Sequence, residues 1–358
     1  MNFSISPADY LPQPPRHKDY GIGIIGCGSI VRGAHLPAYR AWNYKVAACC
    51  DINEAAARQT AEEFSIPFYT TRVEEVLDRE DVEILDLAVH GAIRRQVVER
   101  IAAHARRPRA ILSQKPLALN PEDARRIVEV CEEAGIVLAV NQQQRWSPAH
   151  RALKFVMDSG ALGHVYSLLN LIRGNQDIPG SWYVGVENFT IVDHGIHFID
   201  LTRHFLNRTP IRVKATTTRV PGQHAVSPMI YTILCEYEAG AQTMSTLHFN
   251  NIVPTANTTG CFQWLADGTQ GSAAIKDWST LEVAFEGRDA TNIIQLEQPD
   301  YPINFAAVMG ELMNALGENR APATAGRDNL DSIKLAYAAV KSSETGQAVA
   351  LEDASHRA

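Results

Sequence analysis

From Gly21 to about Val140, short apolar runs alternate with longer stretches in which apolar residues return at helical spacing. The run after Tyr20, then Tyr44–Cys50, Val82–Val89, Ala110–Ser113 and Ile136–Val140, have the character of buried strands, with Asp86 interrupting the third. Between them the pattern predicts helices over Ile30–Arg40, Glu54–Phe64 and Ile93–Ala103. A fourth helix is capped by Asn120, has Pro121 at its first position and is stopped at Gly135. Strand and helix in strict alternation with short connections predict a parallel sheet wrapped on both faces. The second half changes character. After a helix near Pro148–Ser159, strand-like segments at His164–Ile172, Ile211–Arg219, Met229–Tyr237, Ala241–Phe249, Gly271–Ile275 and Leu281–Phe285 follow with only one helical stretch, Ile191–Phe205, among them. That order predicts a mostly antiparallel sheet, closed by a helix from about Leu330 to Ser343. The expected organisation is an arm over residues 1–18, a doubly wound domain over 19–141 and a second α/β domain over 142–358.

Composition narrows the class. A length of 358 residues fits about two domains. A net charge of −7 with no basic tract denser than Arg106-Arg107-Pro108-Arg109 argues against a nucleic-acid partner. The six cysteines form no Cys-x-x-Cys pair and read as reduced core residues, as in a cytoplasmic protein. No apolar run is long enough to span a membrane, and the first 18 residues lack the apolar core of a signal peptide. They read as an arm, loosely ordered unless a partner subunit holds it.

The first strand runs into Gly26-Cys27-Gly28-Ser29-Ile30, and the second ends in Asp51, 23 positions after Gly28. Gly26 permits a tight turn, and Gly28 lets a pyrophosphate approach the backbone at a helix N-terminus, where unpaired N–H groups favour an anion. Val31 stands where the usual fingerprint has its third glycine. A carboxylate at Asp51 accepts hydrogen bonds from ribose hydroxyls and repels a 2′-phosphate, and Ile52-Asn53 supplies no arginine to hold one, so NAD is favoured over NADP.

In the second half, Asp193, His197 and Asp200 share one face of a predicted helix. A carboxylate one turn from an imidazole fixes its tautomer and raises its basicity, which suits alcohol oxidation. An N-capping Asp193 beside a satisfied half-buried His197 is the competing explanation. A metal site using His194 and His197 with Asp193 or Asp200 lacks a further ligand cluster. Lys115 follows a strand of the first domain, where ligands of open parallel sheets bind. It is placed either to stabilise an alkoxide or simply to face water.

These segments, in this order, resemble the family of glucose–fructose oxidoreductase, inositol dehydrogenase and MocA. The resemblance rests on Gly26–Ile30, Gln114-Lys115-Pro116, Asn141 with Arg145-Trp146-Ser147-Pro148, Gly160-Ala161-Leu162-Gly163-His164-Val165, and Asp193-x-Gly195-x-His197-x-x-Asp200. It implies a Rossmann domain followed by a domain with a large, mostly antiparallel open sheet, and homo-dimers or homo-tetramers assembled through that sheet. Lys115, Asp193 and His197 are then the catalytic set. The cofactor residues are Gly26, Gly28, Ser29, Ile30, Asp51, Ile52, His90, Lys115 and Asn141. Arg145, Trp182 and Tyr183 join the catalytic residues around the substrate; the two aromatics, by their chemistry, serve either as stacking surfaces for a sugar face or as buried aromatic packing.

The chain departs from the family pattern at Gln114, where the usual residue is Glu; at His90-Gly91-Ala92, in place of Thr-Pro or Asn-Pro; and at Asn188-Phe189-Thr190, in place of a glycine run. The implied activity is NAD-dependent oxidation of a secondary hydroxyl of a sugar, cyclitol or glycoside, or the reverse. Retained-cofactor chemistry (epimerisation, elimination or glycoside cleavage) and a non-catalytic sensor are the alternatives.

Overall fold

The computed structural model describes residues 4–351. The chain forms two compact units: one of Pro12–Trp146 with Pro299–Leu330, the other of Ser147–Gln298 with the described residues up to Leu11 and from Asp331 on.

The first unit is the expected doubly wound sheet. Its strands are β1 (Gly21–Ile25), β2 (Lys45–Cys50), β3 (Tyr69–Thr70), β4 (Ile84–Leu87), β5 (Ala110–Ser113) and β6 (Val137–Val140), in the order β3-β2-β1-β4-β5-β6. All pairs are parallel. Burial on both faces explains the mainly apolar sequences of β1, β4 and β5. Two of the helices begin at asparagine caps. Asn53 accepts from the N–H groups of Ala55 and Ala56 at 3.0 and 3.3 Å to start Glu54–Phe64, and Asn120 accepts from Asp123 N at 2.7 Å to start Pro121–Glu133.

The first predicted helix is not regular. Val31–His35 winds in wide π-type turns before an α-helix over Leu36–Ala41. Pro37 has no N–H to donate and crowds the carbonyl one turn earlier, which disfavours an uninterrupted α ladder through this segment.

Elements of this unit outside the sequence expectation include β3, the short helix Val73–Leu77, and the helix Ile303–Gly317. The last belongs to the first unit although it comes after the second sheet in the chain, so a single boundary at 141/142 does not describe the chain. It is apolar on nearly every side; Val308, Met309, Leu312 and Met313 are buried in one cluster with Ile22, Ile24, Tyr39 and Leu112. Tyr44 Oη donates to the Ala306 carbonyl at 3.0 Å, and Trp42 Nε1 donates to Tyr301 Oη at 2.9 Å.

The second unit is built on nine strands: β7 (Val165–Arg173), β8 (Arg212–Thr218), β9 (Ile230–Glu236), β10 (Met244–Asn250), β11 (Cys261–Gly268), β12 (Gly271–Ile275), β13 (Thr280–Phe285), β14 (Asn292–Gln295) and β15 (Val349–Ala350). Their order is β14-β13-β12-β11-β7-β10-β9-β8-β15, antiparallel except between β7 and β10. Burial alternates residue by residue along β9, β10 and β11, so one face is covered and the other is not. The helices of this unit include Pro148–Asp158 and Ile196–Leu206.

The arm is tied down by its own chain, against expectation. Residues 1–3 lie outside the described residues, but within the second unit Tyr10 is buried, with its carbonyl accepting from Arg151 Nε at 2.8 Å and its hydroxyl from Glu297 N at 3.0 Å. Within the first unit, Arg16 N donates to Asn314 Oδ1 at 2.9 Å. These are hydrogen bonds over long sequence separations that composition does not reveal.

Candidate functional site

Gly26 leaves β1 at φ +98°, and a Cβ there would lie 2.9 Å from the Ala88 carbonyl, so both the turn and its packing require glycine. A Cβ on Gly28 would meet nothing within 4 Å: that backbone faces open space at the start of a helix whose first N–H groups lack intrahelical acceptors. Asp51, at the end of β2, closes the turn. Its Oδ2 accepts from Cys27 N at 2.8 Å and its Oδ1 from Asn53 N at 2.9 Å, leaving each oxygen a further lone pair. Ser29 and Ile30 are exposed beside the turn, and Ile52 is 92% exposed. The structure thus groups six predicted residues around one open cradle. Its features, a helix N-terminus bare of Cβ, a carboxylate with spare lone pairs and an exposed apolar side chain, fit a dinucleotide's pyrophosphate, ribose and adenine in turn.

At the carboxyl end of the same sheet, His90 caps the helix Gly91–Ala103, its Nδ1 accepting from Ala92 N at 3.3 Å. The departure from the family pattern at this point is therefore a working helix cap. Lys115 is half-buried just after β5, and its N–H donates to Gln114 Oε1 at 3.2 Å. Asn141 is 1% exposed, and its Oδ1 accepts no hydrogen bond among the described residues. An orphaned acceptor of this kind costs roughly 1–3 kcal/mol unless a ligand or water satisfies it. Arg145, expected at the substrate, donates to the Ala323 carbonyl at 2.8 Å and to Asp328 Oδ2 at 3.2 Å, which ties down the first turn of the helix Gly326–Thr345 and the segment before it.

Sequence reasoning assigned no site role to a further group of shaping residues. Arg94, 2% exposed, donates to the carbonyls of Val89 (2.6 Å), Leu117 (3.1 Å) and Pro116, stapling the loops after β4 and β5. His35 and Asp86 are both fully buried and joined Nδ1 to Oδ2 at 2.6 Å; Tyr39 Oη donates to the same Oδ2 at 2.7 Å. Burial, then the neighbouring Asp86 charge, pushes the Tyr39 phenol well above its ordinary value, so it stays a donor. The signal available was Asp86 itself, a charge in the middle of an otherwise apolar strand.

In the second unit, Asp193 and His197 lie on one helical run, but not on a regular helix. Phe189–His194 winds in π-type turns and Ile196–Leu206 continues as α-helix. Gly195 sits at the join, where a Cβ would lie 2.7 Å from the carbonyls of Thr190 and Ile191 and from Tyr231 Oη. His197 is 8% exposed and Asp193 half-buried. Asp200 is fully buried and accepts from Ser332 Oγ at 3.2 Å, which in turn accepts from Arg203 Nη1 at 2.9 Å. Tyr183 stacks on Phe189, with centroids 4.5 Å apart and planes 12° off parallel, whereas Trp182 stands edge-on to both and is 61% exposed. A cavity of about 700 Å³ adjoins this run, lined by His194, Phe198, Gln176, Asn251, Arg173 and Trp278 among others. Among the described residues no group of three or more His, Cys, Asp or Glu is arranged to hold a metal ion, and no helix is long and apolar enough to cross a membrane.

Comparison with known proteins covers both units. A model described as the oxidoreductase family, NAD-binding Rossmann fold, matches residues 20–142, and one described as the GFO/IDH/MocA C-terminal domain matches residues 150–274. A D-apiose dehydrogenase of Paraburkholderia graminis is 29% identical over 355 residues, 94% of this chain and 90% of that protein. A 1,5-anhydro-D-fructose reductase of Ensifer adhaerens is 25% identical, over 92% of this chain and 98% of its own. Among solved structures, an oxidoreductase from Agrobacterium radiobacter in complex with NAD+, L-tartaric acid and magnesium superposes with a TM-score of 0.81 at 24% identity, covering 93% of this chain and 98% of that one.

Proposed function

The chain belongs to the Gfo/Idh/MocA family of NAD-binding oxidoreductases, and from that premise we propose that it interconverts a secondary hydroxyl of a sugar, cyclitol or glycoside and the corresponding ketone. NAD, when bound, supplies the hydride acceptor. The observation that carries the cofactor assignment is the Asp51 carboxylate held by two backbone N–H groups beside the bare backbone of Gly28. The spare lone pairs of Asp51 accept the ribose hydroxyls, the helix start beyond Gly28 takes the pyrophosphate, and Ile52 covers the adenine. His90 and Asn141 serve the nicotinamide side.

The chemistry falls to three side chains. His197, oriented by Asp193, takes the hydroxyl proton, and Lys115 stabilises the alkoxide that develops on the same carbon. A mostly buried imidazole keeps that proton transfer out of bulk water. Tyr183 stacks on Phe189 with one face, so Trp182, the more exposed ring, is the better platform for the apolar face of a sugar. The substrate class is supported by the sugar-acting relatives and by the polar lining of the cavity beside His194. Self-association, if it follows the family, uses the uncovered face of the nine-stranded sheet.

The test is NADH formation by the purified protein with NAD across monosaccharides, inositols and glycosides, run beside Lys115→Ala. Turnover with one group that disappears in the variant is the expected result. Tightly co-purifying cofactor with no net NADH formation on any of them would overturn net oxidation.

A further inference from the structure

The departure at Gln114 has a partner far away in sequence. Gln114 Nε2 lies 2.6 Å from His35 Nε2, and Asn141 Nδ2 lies 3.5 Å from the same ring nitrogen. On its other side, His35 Nδ1 lies 2.6 Å from Asp86 Oδ2. Every member of this set is buried. The direction of each bond follows from chemistry. Gln114 Oε1 accepts the Lys115 N–H at 3.2 Å, so turning the amide over would set two donors against each other; its NH2 must face His35. An amide NH2 only donates, so His35 Nε2 must accept. Asp86 only accepts, so His35 Nδ1 carries the ring proton. His35 is therefore a neutral imidazole with one defined tautomer, and donation runs from Gln114 through His35 to Asp86, where the Tyr39 hydroxyl also ends. The ring otherwise packs against Phe305, with centroids 5.0 Å apart.

We propose that Gln114 and His35 are positioning residues that fix which face Asn141 offers to the cofactor. With Nε2 a bare acceptor, Asn141 turns its NH2 toward His35 and presents Oδ1, the atom that accepts nothing among the described residues, as a hydrogen-bond acceptor. A glutamate at 114 would reverse this. Its carboxylate needs a proton on His35 Nε2, the ring becomes an imidazolium between two carboxylates, and Asn141 rotates to accept from it and to present NH2 instead. The buried net charge is the same in both arrangements; the polarity offered by Asn141 is opposite. This rests on the reading that Asn141 serves the cofactor.

The experiment uses the full chain labelled with 15N-histidine. In the wild-type protein at neutral pH, His35 is expected to show a protonated Nδ1 and an unprotonated Nε2, and in Gln114→Glu both nitrogens protonated. The signal is identified by its loss in His35→Gln or, should that variant not fold, by its slow solvent exchange. Gln114→Glu is also expected to weaken NAD binding to the purified protein about tenfold, the cost of swapping an acceptor for a donor. An imidazolium or an Nε2–H tautomer in the wild type overturns the proposal, as does a neutral His35 or unchanged NAD affinity in Gln114→Glu. Failure of the dehydrogenase reading would appear separately, as no NADH formation with the histidine signals as expected.

Discussion

Replacing Asp51 with Asn tests the cofactor assignment with almost no change of shape. In the native turn the carboxylate serves two backbone donors, Cys27 N at 2.8 Å and Asn53 N at 2.9 Å, with a lone pair to spare on each oxygen. An amide has one accepting oxygen, so one of those N–H groups loses its acceptor and one ribose hydroxyl loses its own. A hydrogen bond to a charged group contributes about 1.5–3 kcal/mol, and because Asp51 is half-buried the lower end applies. That corresponds to a rise of about tenfold in the NAD dissociation constant, at about 1.4 kcal/mol per tenfold. The unsatisfied turn should also cost about 1 kcal/mol of stability. NADP should lose less, because removing the carboxylate also removes the repulsion of its 2′-phosphate, so the preference for NAD narrows. Titration calorimetry with both dinucleotides reads the two affinities directly, and denaturant unfolding reads the stability. An unchanged NAD affinity together with an unchanged ratio between the two would refute the placement of Asp51 at the ribose.

Two further outcomes follow from packing. Leu312 is fully buried in the helix Ile303–Gly317, so Leu312→Ala should destabilise the protein by about 2–5 kcal/mol in denaturant unfolding; a change near zero would mean that the helix is not part of the core. Burial pushes the Cys131 and Cys235 thiols up to about 12, so both should stay unlabelled by thiol reagents in mildly alkaline buffer and react only on unfolding. Mass spectrometry of labelled native protein showing either one modified would contradict their burial.

The sequence made the Rossmann strands legible because each is buried on both faces and reads as an apolar run between glycines and caps. The period-2 strands of the second sheet were legible for the complementary reason. What escaped was helical structure without a polar face: Ile303–Gly317 has no amphipathic period to detect, since it is enclosed on almost all sides. β11 escaped as well, lying in the middle of its sheet between β7 and β12 with a mixed sequence, Cys261–Gly268. In the candidate site, the residues named from the sequence are those that motifs carry, and His35 and Arg94 are not among them. Their roles depend on partners brought close by the sheet, Asp86 and Gln114 for one and three loop carbonyls for the other, and no local spacing encodes those.

The late position of Ile303–Gly317 constrains how the chain can be made and cut. During synthesis the six parallel strands emerge early, yet the apolar surface that Val308, Met309 and Leu312 share with Ile22 and Ile24 has no cover until more than 150 further residues have followed Trp146. The nucleotide-binding unit must therefore wait, partly open, for the polypeptide to return to it. A fragment ending at Trp146 would carry the whole sheet and still behave as an unfinished protein.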